Sequence, residues 1–220
     1  GITVKANGRT FVFSKKDGQL KDVSVNNRKI SFANGPRFIG ARRADRSLDQ
    51  FYNHDDEKAK AKDRTYSEFT DAAVFTKLDV KEEGGNLILT ANYKLGNLDK
   101  AQWTIHPDGM ATLDYTYNFS GVVDLMGICF DYPEEQVLSK RWLGAGPYRV
   151  WQNRIHGAQY DIWENDYNDP IPGETFTYPE FKGYFGSVSW MSIRTKEGTI
   201  SLTNETPDSY IGVYQPRDGR

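Results

Sequence analysis

The chain is short of several residue types and patterns, and each shortage excludes a class of chemistry. Its 220 residues include one cysteine, three histidines and three methionines. Cys129 has no partner for an internal disulfide and sits in the apolar run Gly127-Ile128-Cys129-Phe130, outside any zinc-ligand spacing, so it is expected to be a buried structural thiol. No apolar run approaches the ~18 residues of a membrane helix, and no basic-then-apolar leader opens the sequence. Charge of neither sign dominates, with 28 basic and 30 acidic residues for a net charge of −2, which gives no field to attract nucleic acid or an anionic membrane. Gly144-Ala145-Gly146-Pro147 ends in a proline and precedes no helical pattern, so it is not a phosphate loop. His54-Asp55-Asp56-Glu57 offers hard ligands, but adjacent side chains rarely converge on one ion. No metal or cofactor is expected.

Sustained 3.6-residue periodicity is also missing, and period-two alternation takes its place. Ala111, Leu113, Tyr115, Tyr117 and Phe119 fall on one face of a predicted strand, and Leu87, Leu89, Ala91, Tyr93 and Leu95 on one face of another. Phe11–Phe13, Lys21–Val25, Lys29–Phe32, Ser187–Ile193 and Thr199–Leu202 read as further strands. Asp17-Gly18, Asn26-Asn27, Gly84-Gly85 and Asp108-Gly109 supply the positive φ that hairpin turns need. A charged insertion from about Ala41 to Tyr66 interrupts the pattern. Beyond Pro133 the strands are expected to shorten and aromatic-rich loops to take over as far as Gly183. The whole chain reads as one all-β domain spanning residues 1–220. Its first methionine is Met110, so a chain opening Gly1-Ile2-Thr3 reads as a piece of a longer product.

Rings carry the strongest chemical signal. Trp103 and Trp190 lie in alternating segments and are expected in the core. Trp142, Tyr148, Trp151, Tyr160 and Trp163 stand among loop formers, where an amphipathic ring can stack on a sugar face while Arg141, Asn153 and Arg154 donate to hydroxyls. Packing beneath loops is the competing use of the same rings. Glycoside hydrolysis needs two carboxyl groups, and Glu164, Asp166 and Glu180 each lie beside aromatic residues that would desolvate them. Solvated loop acids are the simpler reading. His156 paired with Glu164 or Glu180 would suit an acid–base pair on a sugar ring. His106, just before a turn, reads as a strand-end residue. Asn118-Phe119-Ser120 and Asn204-Glu205-Thr206 match the glycosylation sequon, a pattern short enough to arise by chance.

Several segments together resemble a family. Trp142-Leu143-Gly144-Ala145-Gly146-Pro147 followed by Trp151-Gln152-Asn153-Arg154 is similar to the GxGPxExYxDR signature in the C-terminal small-chain domain of family 2 β-galactosidases. Tyr178-Pro179-Glu180-Phe181-Lys182-Gly183 resembles that domain's PQExG element. Phe13 to Leu20 with Gly35-Pro36-Arg37 resembles its opening strands, and Met126–Phe130 the strand before the signature. The chain keeps Arg154 but replaces both acids of the signature, and Ala41-Arg42-Arg43-Ala44-Asp45-Arg46 stands where the family has WRAPTDND.

The resemblance implies an antiparallel, galactose-mutarotase-like β-supersandwich whose last strands would lie beyond Arg220. It implies a carbohydrate-facing, non-catalytic module that borders the active site of a separate catalytic barrel in a multidomain glycoside hydrolase. Carbohydrate and that barrel are then the expected partners. The contact residues are expected to be Trp142, Tyr148, Trp151, Arg154, His156, Trp163 and Glu180. A periplasmic or extracellular home fits a polysaccharide-degrading parent. Two alternatives use the same fold: a stand-alone sugar epimerase or polysaccharide lyase, and a domain that only packs.

Overall fold

Pairs of residues in the left-handed region set the hairpins, and the strands follow from them. Asn26 and Asn27 adopt φ of 48° and 65°, and Gly84 and Gly85 adopt 58° and 80°, the two consecutive positive values that a tight two-residue turn requires. The computed structural model describes residues 1–43, 66–70, 72–121, 123, 125–147, 156–166, 185–206 and 209–213. The chain forms two compact units, Gly1–Tyr132 and Pro133–Arg220. Strands are antiparallel throughout. The described residues contain no α-helix, only a 3-10 turn at Glu134–Gln136. The all-β architecture read from the alternation is the one observed.

The first unit is a sandwich of two sheets. One sheet holds β1 (Ile2–Ala6), β2 (Arg9–Phe13), β3 (Leu20–Val25), β5 (Ala33–Arg43) and β11 (Leu125–Asp131) in that order, with β4 (Arg28–Ile30) on β3 and β6 (Tyr66–Thr70) on β5. The other runs β10 (Ala111–Tyr117), β9 (Leu98–Ile105), β8 (Asn86–Lys94), β7 (Val74–Glu83). Inward positions of both sheets meet in one core: Val4, Phe11, Phe13 and Leu20 from the first against Leu89, Trp103 and Ile105 from the second. Each large apolar side chain removed from water here contributes about 1.5–3 kcal/mol. Trp103 contacts Phe13 and Phe130 with ring centroids 6.0 Å apart in both cases. Its Nε1 is buried without an acceptor among the described residues, so this ring is held by packing.

The ends of the sandwich are tied by polar contacts between the sheets. At one end Asn7 and Arg9 donate to the Asp108 carbonyl at 2.8 and 2.9 Å. At the other, the Tyr93 hydroxyl on β8 donates to the Asp17 carbonyl at 2.9 Å. Gly18, at φ 73°, lies so close to β8 and β7 that a Cβ there would sit 2.5 Å from the Ala91 Cβ and 2.8 Å from the Phe75 ring. Burial opposes ionisation of Asp17, but the Gln19 amide, the Lys21 ammonium and the Ser14 hydroxyl outweigh it and hold the carboxyl below its usual value. A third polar cluster joins the motif strands β5 and β11. Arg37 grips Asp131 with contacts of 2.6 and 3.3 Å, and Asn34 donates to the same carboxylate at 2.9 Å.

Three expectations are corrected in this unit. Leu95 does not continue the buried face of β8, because the strand ends at Lys94; Leu95 turns at φ 57° and is 72% exposed. Tyr115, on the apolar face of the alternation in β10, is 41% exposed rather than buried. Cys129 is half-buried rather than buried, with Arg37 Nη2 3.7 Å from its sulfur. Most of the Ala41 to Tyr66 insertion lies outside the described residues; residues 44–65 join β5 to β6, which pair from Arg43↔Tyr66 onward.

The second unit is a four-stranded sheet ordered β13 (Gln159–Asp166), β12 (Val137–Gly146), β15 (Trp190–Thr195), β16 (Gly198–Thr203), with a short pair β14 (Phe185–Gly186) and β17 (Tyr210–Ile211). Here the expectation of short strands and loops is corrected. The segment after Pro133 builds strands of ten and eight residues, because Lys140, Trp142, Gly144 and Gly146 alternate with Ser139, Arg141, Leu143 and Ala145. Glycines suggest loops to a sequence reader, but here they occupy crowded positions within a strand.

Burial pushes the Tyr93 phenol up to about 12, and the nearby Asp17 charge adds to the shift. A raised folded-state value means the stabilisation is complete below the unfolded value of ~10 and is lost as pH rises through the folded one. Chemical denaturation of the wild type and Tyr93→Phe should therefore show a constant gap of about 0.5–1.5 kcal/mol from neutral pH to ~9, shrinking between ~10 and ~12. A gap that does not change across that alkaline range would contradict the assignment.

Candidate functional site

The register of the second sheet sorts its side chains onto two faces, since residues directly opposite in an antiparallel ladder point the same way. Trp142 stands opposite Trp163 and Met191, and Met191 opposite Leu202. This face, closed by Phe185 and Val188, is the core of the unit. The other face carries Tyr160, Ile162 and Glu164 from β13, paired with Ala145, Leu143 and Arg141 from β12. Trp190, expected in the core, is corrected: it lies opposite Leu143 in the same row, on this other face, and is half-buried. Tyr160 and Ile162 are 58% and 47% exposed.

The Gly144-Ala145-Gly146 motif makes the core face possible. A Cβ at Gly146 would lie 2.3–2.5 Å from the Trp163 indole, and one at Gly144 would lie 3.0–3.1 Å from the backbone of residues 186–188. Both indoles then donate to the strand that the glycines open, Trp142 Nε1 to the Ala145 carbonyl at 3.0 Å and Trp163 Nε1 to the Gly144 carbonyl at 3.2 Å, with a second acceptor for Trp163 on its own strand at the Gln159 carbonyl, also at 3.2 Å. Trp142 also packs on Phe185 with centroids 4.5 Å apart. Lys140, on the same face, is buried with its Nζ 2.7 Å from the Asp166 carbonyl and 5.8 Å from the Phe185 ring centre.

These positions revise the sugar-contact set. Trp142 is corrected: it is 0% exposed in the middle of a strand, so its ring has no face left for a ligand. Trp163 is half-buried on the core face with its N–H satisfied by backbone. His156 is exposed in a turn, and Glu164 is exposed on β13 opposite Arg141. Tyr148, Trp151, Arg154 and Glu180 lie outside the described residues, as does any pairing of His156 with Glu180. Among the described residues no group of three or more His, Cys, Asp or Glu is placed to hold a metal ion. His106 is the strand-end residue expected, its two ring nitrogens 3.2 Å from Asn86 Oδ1 and 3.0 Å from Thr112 Oγ1.

Sequence reasoning missed an open polar depression of about 330 Å³ in the second unit, lined by Ser187, Ser189, Asn204, Glu205, Thr206 and Ser209 among others. Tyr160 Oη lies 2.6 Å from Oγ of Ser189, one of the lining residues. Asn204, noticed only as part of a sequon, is a structural corner: its amide donates to the Val188 carbonyl and to Ser209 Oγ and accepts from the Thr206 N–H. The density of hydroxyl and amide side chains just before β15 and just after β16 was the available signal.

Residues 5–211 match the family model described as beta galactosidase small chain. The chain belongs to that family. A search of curated proteins finds no match. Within the β-galactosidase small-chain fold, the order of motifs acquires a structural meaning. Gly35-Pro36-Arg37 on β5 faces Cys129, Phe130 and Asp131 on β11, and a Cβ at Gly35 would lie 2.4 Å from the Phe130 ring. In both units a motif glycine makes room for an aromatic ring of a neighbouring strand.

Gly146→Ala should lower stability by about 1–3 kcal/mol, the cost of overpacking a filled site, whereas Gly127→Ala, where a Cβ meets nothing within 4 Å, should cost much less. Adding Trp163→Phe to Gly146→Ala should recover part of the loss in a double-mutant cycle. Strictly additive effects would show that the ring and the glycine are not coupled.

Proposed function

We propose that the chain is the carbohydrate-facing, non-catalytic small-chain module of a β-galactosidase-like glycoside hydrolase, acting beside the catalytic barrel of its parent. The family match across residues 5–211 carries this reading. The geometry supports it in a specific way. The signature glycines and Trp142 are used by the core, so the proposed sugar contacts fall to other side chains. In sequence Tyr148, Trp151 and Arg154 follow β12, whose Ala145 lies opposite the exposed Tyr160. Residues 1–220 act as one module in this proposal, with the sandwich as scaffold and the second unit as the sugar-facing part. The galactoside itself is cleaved by carboxylates of the barrel, and the module contributes shape and hydrogen bonds to the bound saccharide.

The test is a titration of the 15N-labelled chain with lactose. Amide shifts are expected, and Trp151→Ala should weaken binding about tenfold while leaving the denaturation midpoint within the range of a surface substitution, about ±0.5 kcal/mol. A chain that shows no shifts yet still associates with the barrel would replace this reading with a packing role alone.

A further inference from the structure

The four-stranded sheet of the second unit ends in a strand without the usual protection. Unpaired backbone at a sheet edge is a template for another strand, and folded proteins blunt it with charge, proline or a covering element. The other strands that end the three larger sheets, β1, β7, β10, β11 and β13, carry charged residues such as Lys5, Lys81, Asp114, Asp131 and Glu164. β16, Gly198-Thr199-Ile200-Ser201-Leu202-Thr203, carries no charge and no proline, and among the described residues it pairs with β15 alone. We infer that this edge is an interface between two copies of the chain, joined antiparallel through β16 into one continuous sheet.

Symmetry narrows the register. A two-fold axis normal to the sheet relates the copies, and residues directly opposite one another must point to the same face. The two residue numbers in every pair then sum to the same even value, so the axis passes beside a single residue, Ile200, Ser201 or Leu202. With Ser201 at the axis, Ile200 of each copy meets Leu202 of the other and Thr199 meets Thr203. Centred on Ile200, Leu202 would face Gly198, which has no side chain to cover it. Centred on Leu202, Ile200 would face Asn204, beyond the strand.

Both faces of the strand agree with the Ser201 register. Ile200 and Leu202 are half-buried on the core side, opposite Ile193 and Met191, and Leu202 packs on the cluster that holds Trp142 and Met191. Pairing Ile200 with Leu202 across the axis extends that apolar row into the second copy and covers area still in water. On the other side Thr199, Ser201 and Thr203 are exposed, and Ser201 Oγ lies 2.9 Å from Ser192 Oγ. Two such serines at the axis continue the hydroxyl ladder, with threonine opposite threonine on either side. The nearest charges along the chain, Glu197 and Glu205, fall outside these five pairs.

Sedimentation equilibrium of residues 1–220 should show a reversible monomer–dimer equilibrium. Ser201→Lys, which sets two ammonium groups face to face at the axis, should raise the dimer dissociation constant at least tenfold while the far-UV circular dichroism spectrum stays that of the wild type. Oxidation in a Cys129→Ser background reads the register. Opposed residues have Cα atoms about 4.5–5.5 Å apart, within disulfide reach, so Ser201→Cys should form a covalent dimer. Thr199→Cys alone should not, because its two copies lie about 13 Å apart at ~3.3 Å per residue, whereas an equal mixture of Thr199→Cys and Thr203→Cys chains should. A chain that stays monomeric, a dimer indifferent to Ser201→Lys, or Thr199→Cys cross-linking as readily as Ser201→Cys would overturn the pairing.

Discussion

The second unit depends on the space left by two missing side chains. Trp142 and Trp163 lie opposite one another on adjacent strands and share the core face of the sheet. Trp163 can lie flat against β12 only because Gly146 has no Cβ, and the 186–188 backbone can approach only because Gly144 has none. Each indole N–H then finds a carbonyl on or beside the opened strand. A buried indole without an acceptor is costly, so the glycines serve both packing and hydrogen bonding. Everything displayed on the opposite face, from Tyr160 to Arg141, takes its position from this arrangement.

The sandwich in the first unit is governed by a different balance. Its core is conventional, built from inward-facing aromatic and aliphatic residues of two sheets. Specificity comes from polar ties at the sheet ends, where turn backbone accepts from Asn7, Arg9 and Tyr93. Such ties bind a turn of one sheet to a strand or turn of the other, and so fix how the sheets close. The Arg37–Asp131 pair does comparable work along one edge, although its partial exposure limits its energetic worth.

Alternation made most of the first unit legible in the sequence. Leu89 and Ala91 are buried as their period predicts, and the Asn26-Asn27 and Gly84-Gly85 turns adopt the positive φ values expected of them. The second unit was harder to read because glycine has two uses. It marks turns when conformational freedom is needed, and it marks close approach when a ring must lie on the backbone. Single-sequence reasoning took Gly144 and Gly146 in the first sense, and so placed Trp142 in a loop with a face for sugar. The polar depression beside Ser189 and Asn204 escaped notice for a related reason: its residues come from separate turns, and no local motif joins Ser189 to Asn204. The family signature pointed correctly to the domain, but several of its residues turned out to serve the fold.

The proposed division of labour between this chain and a catalytic barrel can be measured by complementation. The barrel of the parent enzyme, prepared without residues 1–220, is assayed for β-galactoside hydrolysis alone and after mixing with the chain, with the chain alone as control. The account predicts a barrel of low activity restored by the chain, and no turnover by the chain itself. Hydrolysis by the isolated chain, or a barrel indifferent to its addition, would contradict it.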